Sequence, residues 1–183
     1  RFGFSAKNTL GLAQALYEKH KALTYPRTDS RHLPEDYIGT VRATLEMLGE
    51  SNAYGTHARK VLKEKWVRPN RRIFDNSKIS DHFAIIPTGQ TPPAGMGEAE
   101  SKVFDMVTRR FLAVFFPPAE FDVTSRITRI GDDAFKSDGK VLREPGWLAV
   151  YGKKAAEEQG EDETGKVLVA VTPDEKARTE QIE

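Results

Sequence analysis

The chain has 183 residues, 38% of them hydrophobic and 30% charged, with a net charge of +1 and no cysteine. Such numbers describe one globular domain, or one and a half, and exclude disulfides and thiolate zinc sites. No apolar run approaches the length of a membrane span, so a cytoplasmic setting with no membrane partner is the expectation.

The sequence opens on Arg1, already in a helix-like pattern, and reads as a piece of a longer protein. Its charge is uneven: residues 1–72 hold 14 Lys/Arg against 7 Asp/Glu, a balance of +7. A basic first part favours a polyanionic partner, although a solvated helical surface accounts for the same charges.

In chain order, Ser5 can cap a helix from about Ala6 to Lys21, with Leu10, Ala13, Leu16, Tyr17 and His20 at helical spacing. Pro34 suits the first position of a second helix reaching Leu48. Tyr37, Ile38, Val41, Leu45 and Leu48 form its buried stripe, and Gly49 stops it. A shorter helix is expected around Gly55 to Lys65, and irregular chain from Trp66 to Gln90. The linker Thr91-Pro92-Pro93-Ala94-Gly95 leads into a third main helix, Glu98 to Phe116, ended by Pro117-Pro118. Beyond it the pattern turns to β: a strand over 121–130, a turn at Gly131-Asp132-Asp133 and a returning strand over 134–142. Gly146 to Tyr151 is strand or short helix, 153–166 an acidic mobile loop, and 166–171 a last strand. The fold class expected is therefore α+β. Residues 1–117 form a mainly helical domain, and residues 118–183 an antiparallel β segment.

Chemistry concentrates in Leu23-Thr24-Tyr25-Pro26-Arg27-Thr28-Asp29-Ser30-Arg31. Pro26 fixes its own φ and pushes Tyr25 into extended chain, where Tyr25 and Arg27 point to one side. A phenol there can attack phosphorus, and a guanidinium can grip two phosphate oxygens. A free phenol titrates near 10, so a neighbouring cation such as Arg27 is needed to stabilise the phenolate. Thr28 and Asp29 supply short polar side chains that can lock a turn and hold Arg27. A second segment, Ser80-Asp81-His82-Phe83-Ala84-Ile85-Ile86-Pro87, places one imidazole among polar residues, where it can stabilise a charged transition state. Taken singly, a Tyr-x-Arg spacing arises by chance, and a lone histidine is more often structural than catalytic.

Together the two segments resemble the active-site region of type IA DNA topoisomerases, most closely the topoisomerase III branch. The family pattern Tyr-x-Arg-[Thr/Ser]-Asp, preceded by a helix ending Leu-Tyr-Glu, is matched by Tyr25-Pro26-Arg27-Thr28-Asp29 and Leu16-Tyr17-Glu18. Ser80 to Pro87 resembles its histidine segment, and Glu144-Pro145-Gly146-Trp147 a feature of its β region. The motif resemblance runs to about Tyr151. It implies that Tyr25 is the nucleophile that becomes 5′-phosphotyrosyl-linked, that Arg27 holds the scissile phosphate, and that His82 assists there. Thr28 and Asp29 would support Arg27, and Lys7, Ser30 and Arg31 would contact the DNA backbone. Many members carry a second histidine after the first, where this sequence has Phe83.

The resemblance further implies a winged-helix-like (CAP-like) tyrosine domain, followed by part of the topoisomerase arch. It implies single-stranded or underwound DNA as partner, beside the remaining domains of the same enzyme, and a monomeric fragment in a bacterial, nucleoid-associated setting. Mg2+ would be bound by a Toprim domain whose Asp-x-Asp pair is missing from this sequence, so no metal ligand is assigned here. No GxxxxGK loop is present, so no use of ATP is expected. The competing readings are a non-catalytic winged-helix nucleic-acid-binding module, a tyrosine recombinase or rolling-circle nuclease, and a plain structural domain. His20, His32, His57 and His82 are too widely spread to make the histidine cluster that the second of these needs.

Overall fold

A computed structural model describes residues 2–90, 95–152 and 176. The proposed linker at 91–94, the acidic loop and the last strand at 166–171 lie outside them. The architecture is α+β, in two compact units, Arg1–Phe116 and Pro117–Glu183.

The first unit is helical. Helix α1 spans Ala6–Glu18, with the Ser5 hydroxyl accepting from the Asn8 N–H at 3.2 Å. It stops short of Lys21 because Lys21 takes a left-handed φ of 52°, which turns the chain so that the Ala22 N–H reaches the Leu16 carbonyl. Pro34 is not the first helical residue. With ψ at 147° it precedes a 3-10 turn over Glu35–Tyr37, which leads into helix α2 at Ile38–Gly49. Val41, Leu45 and Leu48 form the buried stripe of α2 as expected, while Tyr37 and Ile38 are only half-buried.

Gly49 does not end α2 by leaving the helical region. It is the last helical residue, and its buried backbone meets helix α3, Gly55–Lys63. The Arg59 guanidinium donates to the Gly49 carbonyl, and a Cβ on Gly55 would collide with that same oxygen. The glycines therefore permit close helix approach. Helix α4, Glu98–Ala113, packs on α1. The Glu100 carboxylate accepts from the Gly97 N–H at 2.8 Å and lies 3.1 Å from His20 Nε2, joining the start of α4 to the end of α1. The bond from Gly97 and, less strongly, the nearby His20 hold the Glu100 carboxyl below its ordinary range.

His57 on α3 meets Phe116 edge to face at 5.9 Å. Burial, then the charges of Arg109 and Lys60, lower its pKa below the usual value near 6.5. The folded chain thus binds this proton less readily than the unfolded chain. The stability that neutral His57 allows is complete above about pH 6.5 and is lost as pH falls toward the folded pKa. His57→Gln is expected to flatten the fall in melting temperature as pH drops below about 6.5, as followed by circular dichroism. The depressed carboxylates Glu98, Glu100 and Asp75 act at lower pH, because their ordinary values already lie near 4.

The second unit holds an antiparallel hairpin, β1 over Glu120–Ile130 and β2 over Asp133–Glu144, in register from Phe121↔Leu142 to Ile130↔Asp133. Lys140 stands 3.6 Å over the Phe121 ring, and Lys136 pairs with Asp138 at 2.9 Å. A 3-10 helix covers Gly146–Tyr151 and buries Leu148 and Val150. Gly146 enters it at φ 46°, and a Cβ there would lie 2.6 Å from the Pro117 carbonyl oxygen. Gly146→Ala combines a disfavoured φ with that overlap. It is expected to cost about 2–4 kcal/mol in thermal unfolding of this unit.

Candidate active site

The run that carries Tyr25 is held in place by threonines. It lies antiparallel to the histidine segment: the Thr24 N–H donates to the Ile86 carbonyl and the Thr88 N–H to the Ala22 carbonyl, each at 3.0 Å, and Leu23 bridges Pro87. Pro26 offers no N–H to such a ladder, so hydroxyls replace backbone donors around it. Thr24 Oγ1 donates to the Ala84 carbonyl at 3.1 Å and accepts from the Ile86 N–H at 2.9 Å. Thr28 Oγ1 donates to the His82 carbonyl at 2.9 Å, and Thr88 Oγ1 to the Lys21 carbonyl at 2.6 Å. Pro26 itself is buried and anchors the run.

This stitching sets the geometry. Tyr25 is half-buried, and its ring sits 4.3 Å from the exposed His82 ring, centroid to centroid, with the planes tilted by 44°. The Tyr17 ring also meets it, edge to face at 5.3 Å. Arg27 is exposed, and its Nη2 makes a long 3.4 Å hydrogen bond to Gln14 Oε1. The Gln14 amide in turn donates to Glu18 Oε1 at 2.9 Å. Gln14 and Tyr17 are three residues apart on α1 and share a face. One helical surface therefore supports Tyr25 through Tyr17 and Arg27 through Gln14.

The other candidates divide between the turn and the surface. Thr28 is tied to the His82 backbone and to the Ser30 N–H, so it fixes the histidine segment rather than the Arg27 guanidinium. Asp29 is exposed, and no hydrogen bond or ion pair joins it to Arg27 among the described residues. Ser30 spends its hydroxyl on the turn, donating to the Lys78 carbonyl at 2.8 Å and accepting from the His32 N–H at 3.1 Å. Lys7 and Arg31 are exposed. Phe83 is half-buried against Tyr37 at 4.8 Å, so the position after His82 belongs to packing. Gln14 was missed altogether: it lies thirteen residues from Arg27, and nothing in the local pattern marks it as a partner. Among the described residues no cluster of three or more His, Cys, Asp or Glu side chains could hold a metal ion, and no helix is long and apolar enough to cross a membrane.

The Tyr25 phenol ring and the His82 imidazole are thus in contact across two paired segments, with the Arg27 guanidinium exposed nearby in sequence and bonded to Gln14. Comparison with known proteins gives the family. The family model described as DNA topoisomerase matches residues 1–183, past Tyr151 where the motif resemblance fades. The chain is 41% identical over 170 residues to a DNA topoisomerase 3 of Bacillus cereus, and 43% identical over 169 residues to that of Bacillus licheniformis. To the DNA topoisomerase 3 of Bacillus subtilis it is 38% identical over 172 residues. Each match covers at least 92% of this chain and 23% of the relative. The chain belongs to the type IA DNA topoisomerase family, on its topoisomerase III branch.

Proposed function

We propose that this chain is the tyrosine-bearing gate portion of an ATP-independent topoisomerase III, with residues 1–117 as a winged-helix-like domain and residues 118–183 as the start of the arch. The packed pair α2 and α3 supplies the helical part of the winged-helix likeness. The observation that carries the functional reading is the contact of the Tyr25 ring with both Tyr17 and His82, with Arg27 bonded to Gln14 on the helix face that holds Tyr17.

In this reading the Tyr25 phenolic oxygen attacks the phosphorus of one DNA strand. The P–O bond to the 3′ oxygen breaks, and a 5′-phosphotyrosyl bond forms. The phenol proton is matched by one taken up at the leaving 3′ oxygen. One phosphoester replaces another, so resealing needs no nucleotide cofactor. Arg27 holds two nonbridging oxygens as charge builds on them, and the His82 imidazole lies where it can stabilise the same charge or protonate the leaving group. The residues described here do not fit Mg2+, and in the whole enzyme we assign that ion to a Toprim domain. The substrate is single-stranded or underwound DNA, and the setting is the bacterial cytoplasm at the nucleoid.

The test is to denature the whole enzyme during its reaction with an end-labelled single-stranded oligonucleotide and to map the labelled peptide. Label on the peptide holding Tyr25 supports the reading. Binding without any protein-linked label favours the non-catalytic nucleic-acid-binding module.

A further inference from the structure

Arg68, Pro69, Asn70, Arg71 and Arg72 form a loop whose five residues are all exposed. It is nevertheless an ordered turn. The Asn70 carbonyl accepts from the N–H groups of Ile73 and Phe74, and Asn70 Oδ1 accepts from the Arg72 N–H at 3.0 Å. Among the described residues no ion pair joins any of the three guanidiniums to a carboxylate. Arg71 stands near enough to Asp75 to add a little to the lowering of that carboxyl, which Ser77 dominates.

Behind the loop lies a cavity of about 390 Å³ lined by Glu35, Ile38, Pro69, Asn70, Arg71 and Phe74. Ile38, Pro69 and Phe74 line it with apolar groups. Asn70 and Arg71 add donors to the lining and Glu35 an acceptor. An apolar slot with a few convergent polar groups is what a flat heterocycle needs, and the Glu35 carboxylate suits the edge of a base better than it suits a phosphate.

The position of the loop links it to Tyr25. The Leu33 N–H donates to the Ile73 carbonyl at 2.7 Å, and the Asp75 N–H to the Leu33 carbonyl at 3.1 Å, so the loop emerges beside the far end of the tyrosine run. Seven residues lie between Tyr25 and Leu33, so the two are at most about 29 Å apart. Exposed Arg31 and Lys78 fall between, held together by the bond from Ser30 to the Lys78 carbonyl. In the proposed reaction a strand joined to Tyr25 is held by this unit, and the loop lies within a few nucleotides of that joint.

We propose that the Arg68–Arg72 loop and the cavity behind it seat the single-stranded DNA leading away from the severed phosphate, with Arg71 and Arg72 on backbone phosphates, Arg68 at the margin, and one unpaired base in the cavity. The proposal rests on the reading of DNA as substrate. It adds a noncovalent hold that keeps the joined end aligned for resealing.

The test measures binding of the 183-residue chain to an eight-nucleotide oligo(dT) by fluorescence anisotropy across a salt series. Arg71→Gln with Arg72→Gln is compared with Lys63→Gln plus Arg110→Gln, which removes equal charge from exposed positions on α3 and α4. The loop variant is expected to bind about 10-fold more weakly, and its slope of log K against log salt to fall by about 1.4. The control is expected to change less than about 2-fold. In the unaltered chain, a scan of single abasic sites is expected to show one position costing about 5-fold or more. Equal losses in the two variants, or a flat abasic scan, overturn the proposal. If those results appear while the whole enzyme still forms its Tyr25 adduct, only this proposal fails. An absent adduct instead removes the reading on which it rests.

Discussion

The whole enzyme carrying Tyr25→Phe is expected to form no protein–DNA adduct and to lose strand cleavage by on the order of 10⁴-fold or more, because the substitution deletes the one atom that would bond to phosphorus. The variant is a clean probe here. The Tyr25 ring packs against Tyr17 at 5.3 Å and His82 at 4.3 Å, and both contacts survive in phenylalanine. Among the described residues the Tyr25 hydroxyl donates no hydrogen bond whose loss would loosen the strand. Stability is therefore expected to stay within about 0.5 kcal/mol of the unaltered protein, and DNA affinity close to unchanged. The measurement is an oligonucleotide cleavage assay stopped with detergent, alongside anisotropy and a thermal melt. An adduct formed by the Phe variant at the normal rate transfers the nucleophile to another residue and ends the role given to Tyr25.

Much of this frame is legible in the residues themselves. The Ser5 cap, the stripe Val41, Leu45, Leu48 and the alternation from Phe121 onward depend on contacts a few residues apart, so periodicity carries them. Where local reading failed, long-range partners decided. Gly49 reads as a helix stop, but Arg59 and Gly55 make it a contact surface. Thr28 and Ser30 lock the local turn as read, accepting from the Ser30 and His32 N–H groups, but the carbonyls they donate to, on His82 and Lys78, lie 54 and 48 residues away and no local pattern marks them. The proximity of Tyr25 and His82 came from resemblance, and no pattern of spacing contains it. The physical link is the set of threonine hydroxyls that replaces the bonds Pro26 cannot donate.

Arg27 takes no part in that link, so the proposed role on phosphate can be tested without disturbing the fold. Its side chain is exposed and has one long bond, to Gln14. Arg27→Ala is thus expected to melt within about 0.5 kcal/mol of the unaltered enzyme, since an exposed contact of that length contributes little. Cleavage is a different matter. A guanidinium fork placed on two nonbridging oxygens is strongest when their charge peaks, and removal of one such donor group costs about 10²–10³-fold in rate. Arg27→Lys keeps a positive charge but loses the planar fork, so it should recover only part of that loss, about 10-fold. The division between constants carries the argument. If Arg27 holds the transition state more tightly than the substrate, kcat falls and KM moves little; if it only binds DNA, KM rises and kcat stays. Single-turnover cleavage at saturating oligonucleotide separates the two. A full kcat in Arg27→Ala would leave Tyr25 without its electrostatic partner and return Arg27 to the ordinary basic surface of the first unit.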